Sequence, residues 1–264
     1  MLTSIAALLA AVVIGFPLLM YLMQDQLLFF PQRLDPAGRE ALRKRFGEVR
    51  EVVLDNEGRR RHAWHLPAQA GKPTVIYFGG NAEEVSWMIE DARTRVPGAG
   101  WLLVSYPGYG ASEGAPSEKD ISADALLWHD HAAKALGATE IIAFGRSLGS
   151  GAAVFLASQR KLKAVVLVTP YDSLIAVAGH HYPLLPVRLL LRHPFDSISR
   201  APAIQAPLLC IAAQRDRVIP PAHARRLYEA WGGPKQWLEL PGADHNGTDG
   251  VPAFWRAITA FLQQ

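Results

Sequence analysis

Ser147 stands in Gly145-Arg146-Ser147-Leu148-Gly149, directly after the apolar run Glu140–Phe144 and directly before the helical stretch Leu148–Arg160. A serine hydroxyl attacks carbonyl carbon poorly until a base takes its proton. At a strand-to-helix turn the serine takes a strained backbone conformation, and small residues two before and two after it let neighbouring backbone approach. Its Oγ then stands clear of the sheet, and the following helix aims its first amides at a developing oxyanion. The base candidate is His245, in the loop Gly242-Ala243-Asp244-His245-Asn246-Gly247. The acid candidate is Asp216, just past the apolar run that ends at Ala213. It would accept the Nδ1–H of the histidine, fix its tautomer and stabilise the imidazolium. Asp172, which follows the preceding apolar run in the same way, is the second candidate for the acid. Asp244 adjoins His245 and has poor geometry for the role, and His223, at a helix start among arginines, reads as a surface residue. For the oxyanion, the Leu148 amide needs a partner. The turn Gly79-Gly80-Asn81-Ala82 offers the amide of Asn81, with that of Gly80 as the alternative.

These residues need a scaffold. From residue 49 onward, short β-branched or apolar runs alternate with helical stretches. Glu51–Leu54 and Arg61–Leu66, joined through Asn56-Glu57-Gly58, predict an antiparallel hairpin. Thr74–Phe78, Trp101–Ser105, Glu140–Phe144, Ala164–Val168, Leu208–Ala213 and Gln236–Leu240 read as strands covered on both faces. Helices are expected over Lys119–Leu136, Leu148–Arg160, Ala222–Trp231 and Pro252–Gln264. Strand alternating with helix implies an α/β fold with a mostly parallel central sheet and helices on both faces. Asp216 then lies at a strand's carboxyl end, the edge where open α/β sheets build their sites. The stretch at about 171–203 is too long for a simple crossover and predicts a small lid-like insertion, apolar on one side, with an irregular two-helix crossover without a substrate role as the alternative.

The 264 residues are half hydrophobic and 19 % charged, enough for one globular domain with a sizeable core and without extended disorder. A net charge of +3 spread over many arginines does not point to nucleic acid, and Arg59-Arg60-Arg61 reads as the solvated end of the hairpin. The lone Cys210, inside an apolar run, forms no intrachain disulfide and reads as an inert core residue. His129-Asp130-His131 splays its side chains around a helix, so no metal site is expected there.

Residues 1–24 predict an N-terminal membrane anchor. From Leu2 to Met23 there are 22 residues without a charge, about 33 Å of helix against a hydrocarbon core of roughly 30 Å. Gly15 and Pro17 are tolerable in such a helix, and Tyr21 suits the interfacial belt. Neither basic residues before the run nor a small-x-small site after it supports a cleaved leader, and a buried first helix of the soluble domain, the other alternative, would show a polar face that the run almost lacks. Arg33, Arg39, Arg43, Lys44 and Arg45 all follow the run, which favours a cytoplasmic domain beyond it. Residues 25–48 read as a connecting segment and 49–264 as the folded domain.

Four motifs in this order carry a resemblance. They are Tyr77-Phe78-Gly79-Gly80-Asn81-Ala82, Ser105-Tyr106-Pro107-Gly108-Tyr109-Gly110-Ala111-Ser112-Glu113-Gly114, the Ser147 turn, and the Asp216 and His245 loops. Together they resemble the α/β-hydrolase superfamily. Within it the chain is similar to single-pass members of the hydrolase domain-containing protein 13 type and to the S33 serine aminopeptidase-like hydrolases. The likeness runs from about residue 26 to the end and includes Leu27-Leu28-Phe29-Phe30-Pro31. It implies an acyl-enzyme mechanism without cofactor. One departure stands out: the group usually has histidine before Gly80, and this chain has Gly79, which removes a side chain that often braces the turn. The expectation is a membrane-anchored serine hydrolase of an ester or thioester, acting on a small-molecule or lipid-like acyl substrate. A serine aminopeptidase-like activity is the first alternative, with Glu83, Glu84 or Glu113 holding the free amine, and a non-catalytic interaction protein on the same fold is the second.

Overall fold

The structure, a computed structural model, describes Ser4 and residues 15–263. Eight strands form one sheet: β1 (Arg50–Asn56), β2 (Arg59–Leu66), β3 (Thr74–Phe78), β4 (Gly100–Val104), β5 (Ile141–Arg146), β6 (Ala164–Val168), β7 (Leu208–Ala213) and β8 (Lys235–Leu240). Their spatial order is β1-β2-β4-β3-β5-β6-β7-β8. β1 and β2 pair antiparallel through a turn in which Glu57 and Gly58 both take positive φ, 55° and 75°, the geometry of a tight hairpin. β2 joins β4 antiparallel, and every pairing from β4 across to β8 is parallel.

Helices cover both faces. On one side α4 (Glu118–Lys134), α5 (Leu148–Gln159) and α8 (Pro221–Ala230) set Trp128, Leu156 and Leu227 against Ile76, Leu167 and Cys210 of the sheet. On the other, α3 (Met88–Arg95) and α9 (Pro252–Leu262) set Ile89, Ile258 and Phe261 against Val75, Phe144 and Ile211. Strands β3 to β7, Thr74 and Arg146 apart, are thus apolar because each is buried on both faces. Cys210 is fully buried, and burial pushes its thiol well up from its usual range.

Two readings of single residues need correction. Arg61 is not at a solvated hairpin end; it is buried, with Nε 2.6 Å from Asp124 Oδ2 of α4. Asn56 Nδ2 donates to the other oxygen of that carboxylate at 2.7 Å. The hairpin folds down onto α4, and the alternation of β2 points Arg61 inward while Arg60 stays exposed and pairs with Glu113. His223 is likewise buried rather than at the surface.

Before the sheet come α1 (Phe16–Leu28) and α2 (Pro36–Arg45), so the stretch expected as a plain connection holds the end of one helix and the whole of another. Among the described residues no helix is long and apolar enough to cross a membrane. Most of the expected span Leu2–Met23, that is residues 2–3 and 5–14, lies outside the described residues. The excursion between β6 and β7 carries two short helices, α6 (Leu174–His181) and α7 (Val187–Leu190), at the position of the expected lid. It is stitched to α1. The buried Gln24 carboxamide donates to Leu190 O (3.0 Å) and accepts from Arg192 N–H (2.7 Å). Asp25 pairs with Arg192 and His193, both at 2.9 Å. Between α1 and this excursion lies an apolar cavity of about 350 Å³ walled by Met20, Leu27, Leu28, Leu185 and Leu191.

Candidate functional site

The site begins with the turn from β5 into α5. Ser147 has φ 49° and ψ −116°, a left-handed φ that a non-glycine residue holds only where its surroundings over-determine it. Its amide donates to Val168 O (2.9 Å), and its carbonyl accepts from Ser150 N–H (2.9 Å) and Oγ–H (2.7 Å). The flanking glycines are sterically required. A Cβ on Gly149 would lie 2.0 Å from the Phe78 carbonyl oxygen, and one on Gly145 would lie 2.4 Å from the Gly149 carbonyl oxygen. Neither approach is physically possible, so Gly149 lets α5 pack this closely on β3 and Gly145 lets it pack on β5.

Ser147, His245 and Asp216, 98 and 29 residues apart along the chain, meet at this turn. His245 Nε2 lies 2.9 Å from Ser147 Oγ, and His245 Nδ1 lies 2.7 Å from Asp216 Oδ2. The other oxygen, Oδ1, accepts the amides of Val218 (2.9 Å) and Ile219 (2.8 Å), so the carboxylate is clamped on both sides. A carboxylate beside Nδ1 can only accept, which puts the imidazole proton there and leaves the Nε2 lone pair for the serine hydroxyl. Asp216 and His245 are buried, and Ser147 is half-buried at the floor of a cleft of about 420 Å³. Gly80, Asn81, Arg146, Val218 and Asn246 also line that cleft. An arrangement of this kind can deprotonate the hydroxyl as it attacks a carbonyl and return the proton to the leaving group.

Asp172 goes elsewhere. Its Oδ1 is 2.7 Å from His223 Nδ1 and its Oδ2 accepts from Arg226 Nε at 2.6 Å, while Ser173 N–H donates to Oδ1 at 2.8 Å. Burial acts to raise its carboxyl, but the hydrogen bonds from His223 and Arg226 win and hold it below the usual carboxylate range. This second buried Asp–His pair ties the start of the β6–β7 excursion to α8.

The turn after β3 faces Ser147. A Cβ on Gly80 would sit 3.7 Å from that of Ser147. The Gly80 amide already donates to Glu83 Oε2 (2.6 Å). That commitment occupies the alternative donor, and Asn81 lines the cleft together with Ser147 and His245. Glu83, offered by the sequence as a holder of a free amine, has a bracing role that the sequence reading missed. Its Oε1 accepts from Tyr77 Oη–H (2.6 Å) and Trp87 Nε1–H (2.8 Å), and Tyr106 Oη–H donates to Gly79 O (2.7 Å). Both tyrosines stay protonated, because burial and then the Glu83 charge push them well above their ordinary range. So the turn that lacks a histidine at Gly79 is braced by Glu83 from below. A signal was present: an acidic residue three positions after a turn amide is the spacing at which side chains cap backbone N–H groups. Among the described residues no group of three or more His, Cys, Asp or Glu is placed to hold a metal ion.

No family model matches the chain. Over 256 residues it is 34 % identical to an uncharacterized Mycobacterium tuberculosis protein, covering 92 % of this chain and 87 % of the relative. The Arabidopsis thaliana alpha/beta hydrolase domain-containing protein WAV2 is 28 % identical, over 80 % of this chain and 77 % of that protein. A Saccharomyces cerevisiae uncharacterized membrane protein, YNL320W, is 30 % identical over 80 % and 78 %. Among solved structures, the Pyrococcus furiosus esterase superposes with a TM-score of 0.67 at 18 % identity, covering 88 % of this chain and 94 % of the esterase. The sheet order, the strained serine between two packed glycines and these likenesses have one explanation: the chain belongs to the α/β-hydrolase superfamily.

Proposed function

We propose that this hydrolase cleaves an ester or thioester through a Ser147–His245–Asp216 triad and an acyl-enzyme intermediate. The observation that carries the reading is His245, which bridges Ser147 Oγ at 2.9 Å and Asp216 Oδ2 at 2.7 Å. Ser147 Oγ attacks the acyl carbon as its proton passes to His245 Nε2. The carbonyl oxygen becomes an oxyanion, which the amides of Asn81 and Leu148 receive. Collapse of that intermediate breaks the bond to the leaving alkoxide or thiolate, which takes the proton from His245. Water then gives a proton to Nε2 as it attacks the acyl carbon, and Ser147 Oγ departs with that proton back in place.

An aminopeptidase would need an acidic side chain free to hold an amine. Glu83 is committed to three donors and Glu113 to Arg60, while Glu84 at the cleft gives Oε2 to Ser86 and holds a buried Oε1 with no hydrogen-bond partner. The commitments of Glu83 and Glu113 support esters and thioesters over peptides. A fluorophosphonate probe should modify the purified protein at Ser147 alone, as mapped by peptide mass spectrometry, and should fail with His245→Ala. A well-folded wild-type protein that takes no label would instead support a non-catalytic role.

The substrate reading extends to lipid-like acyl groups, and the location to a membrane. The uncharged run Leu2–Met23, the exposed Phe16, Leu18, Leu19 and Leu22 of α1, and the apolar cavity beside it support a single-pass N-terminal anchor. The five basic residues between Arg33 and Arg45 support a cytoplasmic catalytic domain. The full-length chain should stay with the membrane pellet after alkaline carbonate extraction; release into the supernatant would remove the anchor.

A further inference from the structure

Asn81 lines the cleft, but its side chain is bonded into the segment that leaves α1. Asn81 Nδ2 donates to Leu28 O at 2.5 Å, and Asn81 Oδ1 accepts from Phe30 N–H at 3.0 Å. The same oxygen accepts from Tyr109 Oη–H at 2.8 Å and from the Ala82 amide at 3.1 Å. Both ends of one carboxamide are therefore spent on holding residues 28–30 against the turn. The strap continues beyond it: Gly110 N–H donates to Gln32 O (2.7 Å), and Leu34 N–H donates to Gly110 O (3.0 Å). Three motifs distant in sequence, Leu27–Pro31, Gly79–Ala82 and Ser105–Gly114, thus converge on this group. Burial raises Tyr109 to about 12, so its hydroxyl is a standing donor.

We propose that the Asn81 carboxamide is a positioning group that makes the oxyanion-binding turn depend on the docked end of α1. The inference rests on the serine hydrolase reading above. Ala82 follows with φ 57°, an unfavourable left-handed conformation for alanine. On the other side, Glu83 holds the Gly80 amide. The peptide between them, which carries the Asn81 N–H, is therefore aimed from one end by Glu83 and from the other by the strap. Without the carboxamide this peptide can rotate, and the N–H leaves the position where the oxyanion develops. A group preorganised in this way acts on the transition state and not on the bound ester.

The test is a mutant cycle on the full-length enzyme with a p-nitrophenyl ester. Asn81→Ala keeps the main-chain N–H but releases the strap, and should lower kcat by about 10²-fold with KM little changed. Phe30→Pro removes the strap's own donor without touching the turn. It should lower kcat in the same sense, and the double variant should be no slower than Asn81→Ala alone. A transition-state analogue, a phenylboronic acid, should weaken in step with kcat. If Asn81→Ala does not fold, Tyr109→Phe takes its place, with a smaller loss of kcat expected. A kcat within about twofold of wild type in the folded variant, a rise confined to KM, or losses that multiply in the double variant would each overturn the latch. Wild-type turnover that Ser147→Ala abolishes secures the underlying reading beforehand, so any of those results falls on the latch alone. Turnover that survives Ser147→Ala overturns the reading, and the latch with it.

Discussion

Ser147→Ala is expected to lower kcat for an activated ester by about 10⁶-fold without loss of fold, as judged by thermal unfolding. The size follows from what the side chain does in the proposed mechanism. Without Oγ there is no acyl-enzyme, and water must attack unaided in a cleft shaped for a serine. The two amides and the binding surface remain, so a residual rate above the uncatalysed one is expected. His245→Ala should cost nearly as much, because a hydroxyl without its base is not a nucleophile. The double variant should be no worse than either single one, since the two act as one unit. Stability should be nearly indifferent to the loss of the hydroxyl. The strained backbone at Ser147 is held by Val168 O, by Ser150 and by the packing of Gly145 and Gly149, none of which involves Oγ. Turnover within tenfold of wild type in Ser147→Ala would sink the nucleophile assignment.

Asp216→Asn and Asp172→Asn should separate two buried Asp–His pairs by opposite readouts. At Asp216 the carboxamide keeps an acceptor for the Val218 and Ile219 amides but presents either the wrong group or a weaker acceptor to His245 Nδ1. The imidazole then prefers the tautomer with its proton on Nε2, where it cannot take the hydroxyl proton. A fall of about 10⁴-fold in kcat with little change in Tm is the expected result. At Asp172 the carboxylate holds His223 and Arg226, which are far from Ser147 in role. Asp172→Asn should keep most of the turnover and lower Tm, because a buried His223 and a guanidinium lose their charged partner. As that carboxyl is held below its ordinary range, its contribution is present at neutral pH. It is lost only as pH falls through the carboxylate range. The reverse pattern, activity lost at Asp172 and kept at Asp216, would move the acid to β6.

How much of this could be read beforehand differs from residue to residue. Thr74–Phe78 and Leu208–Ala213 announce themselves as strands because a run buried on both faces has to be largely apolar, and burial in turn follows from the helices between them. Gly145 and Gly149 were legible as a pair, since spacing alone signals a tight approach. What Gly149 approaches, the Phe78 carbonyl on β3, was not, because that contact crosses 71 residues of chain. Arg61 and His223 were misread for one reason. Composition says that arginines and histidines near other arginines are solvated, whereas the partners that bury them, Asp124 and Asp172, come from other elements.

The sequence by itself determined the alternation of strand and helix, the positions of the tight turns, and the chemical types available at each strand's carboxyl end. These are local properties, set by periodicity, by steric freedom at glycine and by the nearest few neighbours. Only the tertiary structure decided the strand order β1-β2-β4-β3-β5-β6-β7-β8, and which of two aspartates faces which of two histidines. It alone decided that the Gly80 amide is taken by Glu83 and that the Asn81 side chain reaches back to Leu28 and Phe30. Those outcomes depend on hydrogen bonds a few ångströms long between segments far apart in the chain. Such a bond leaves no periodic trace in sequence, because only the folded sheet brings its two ends together.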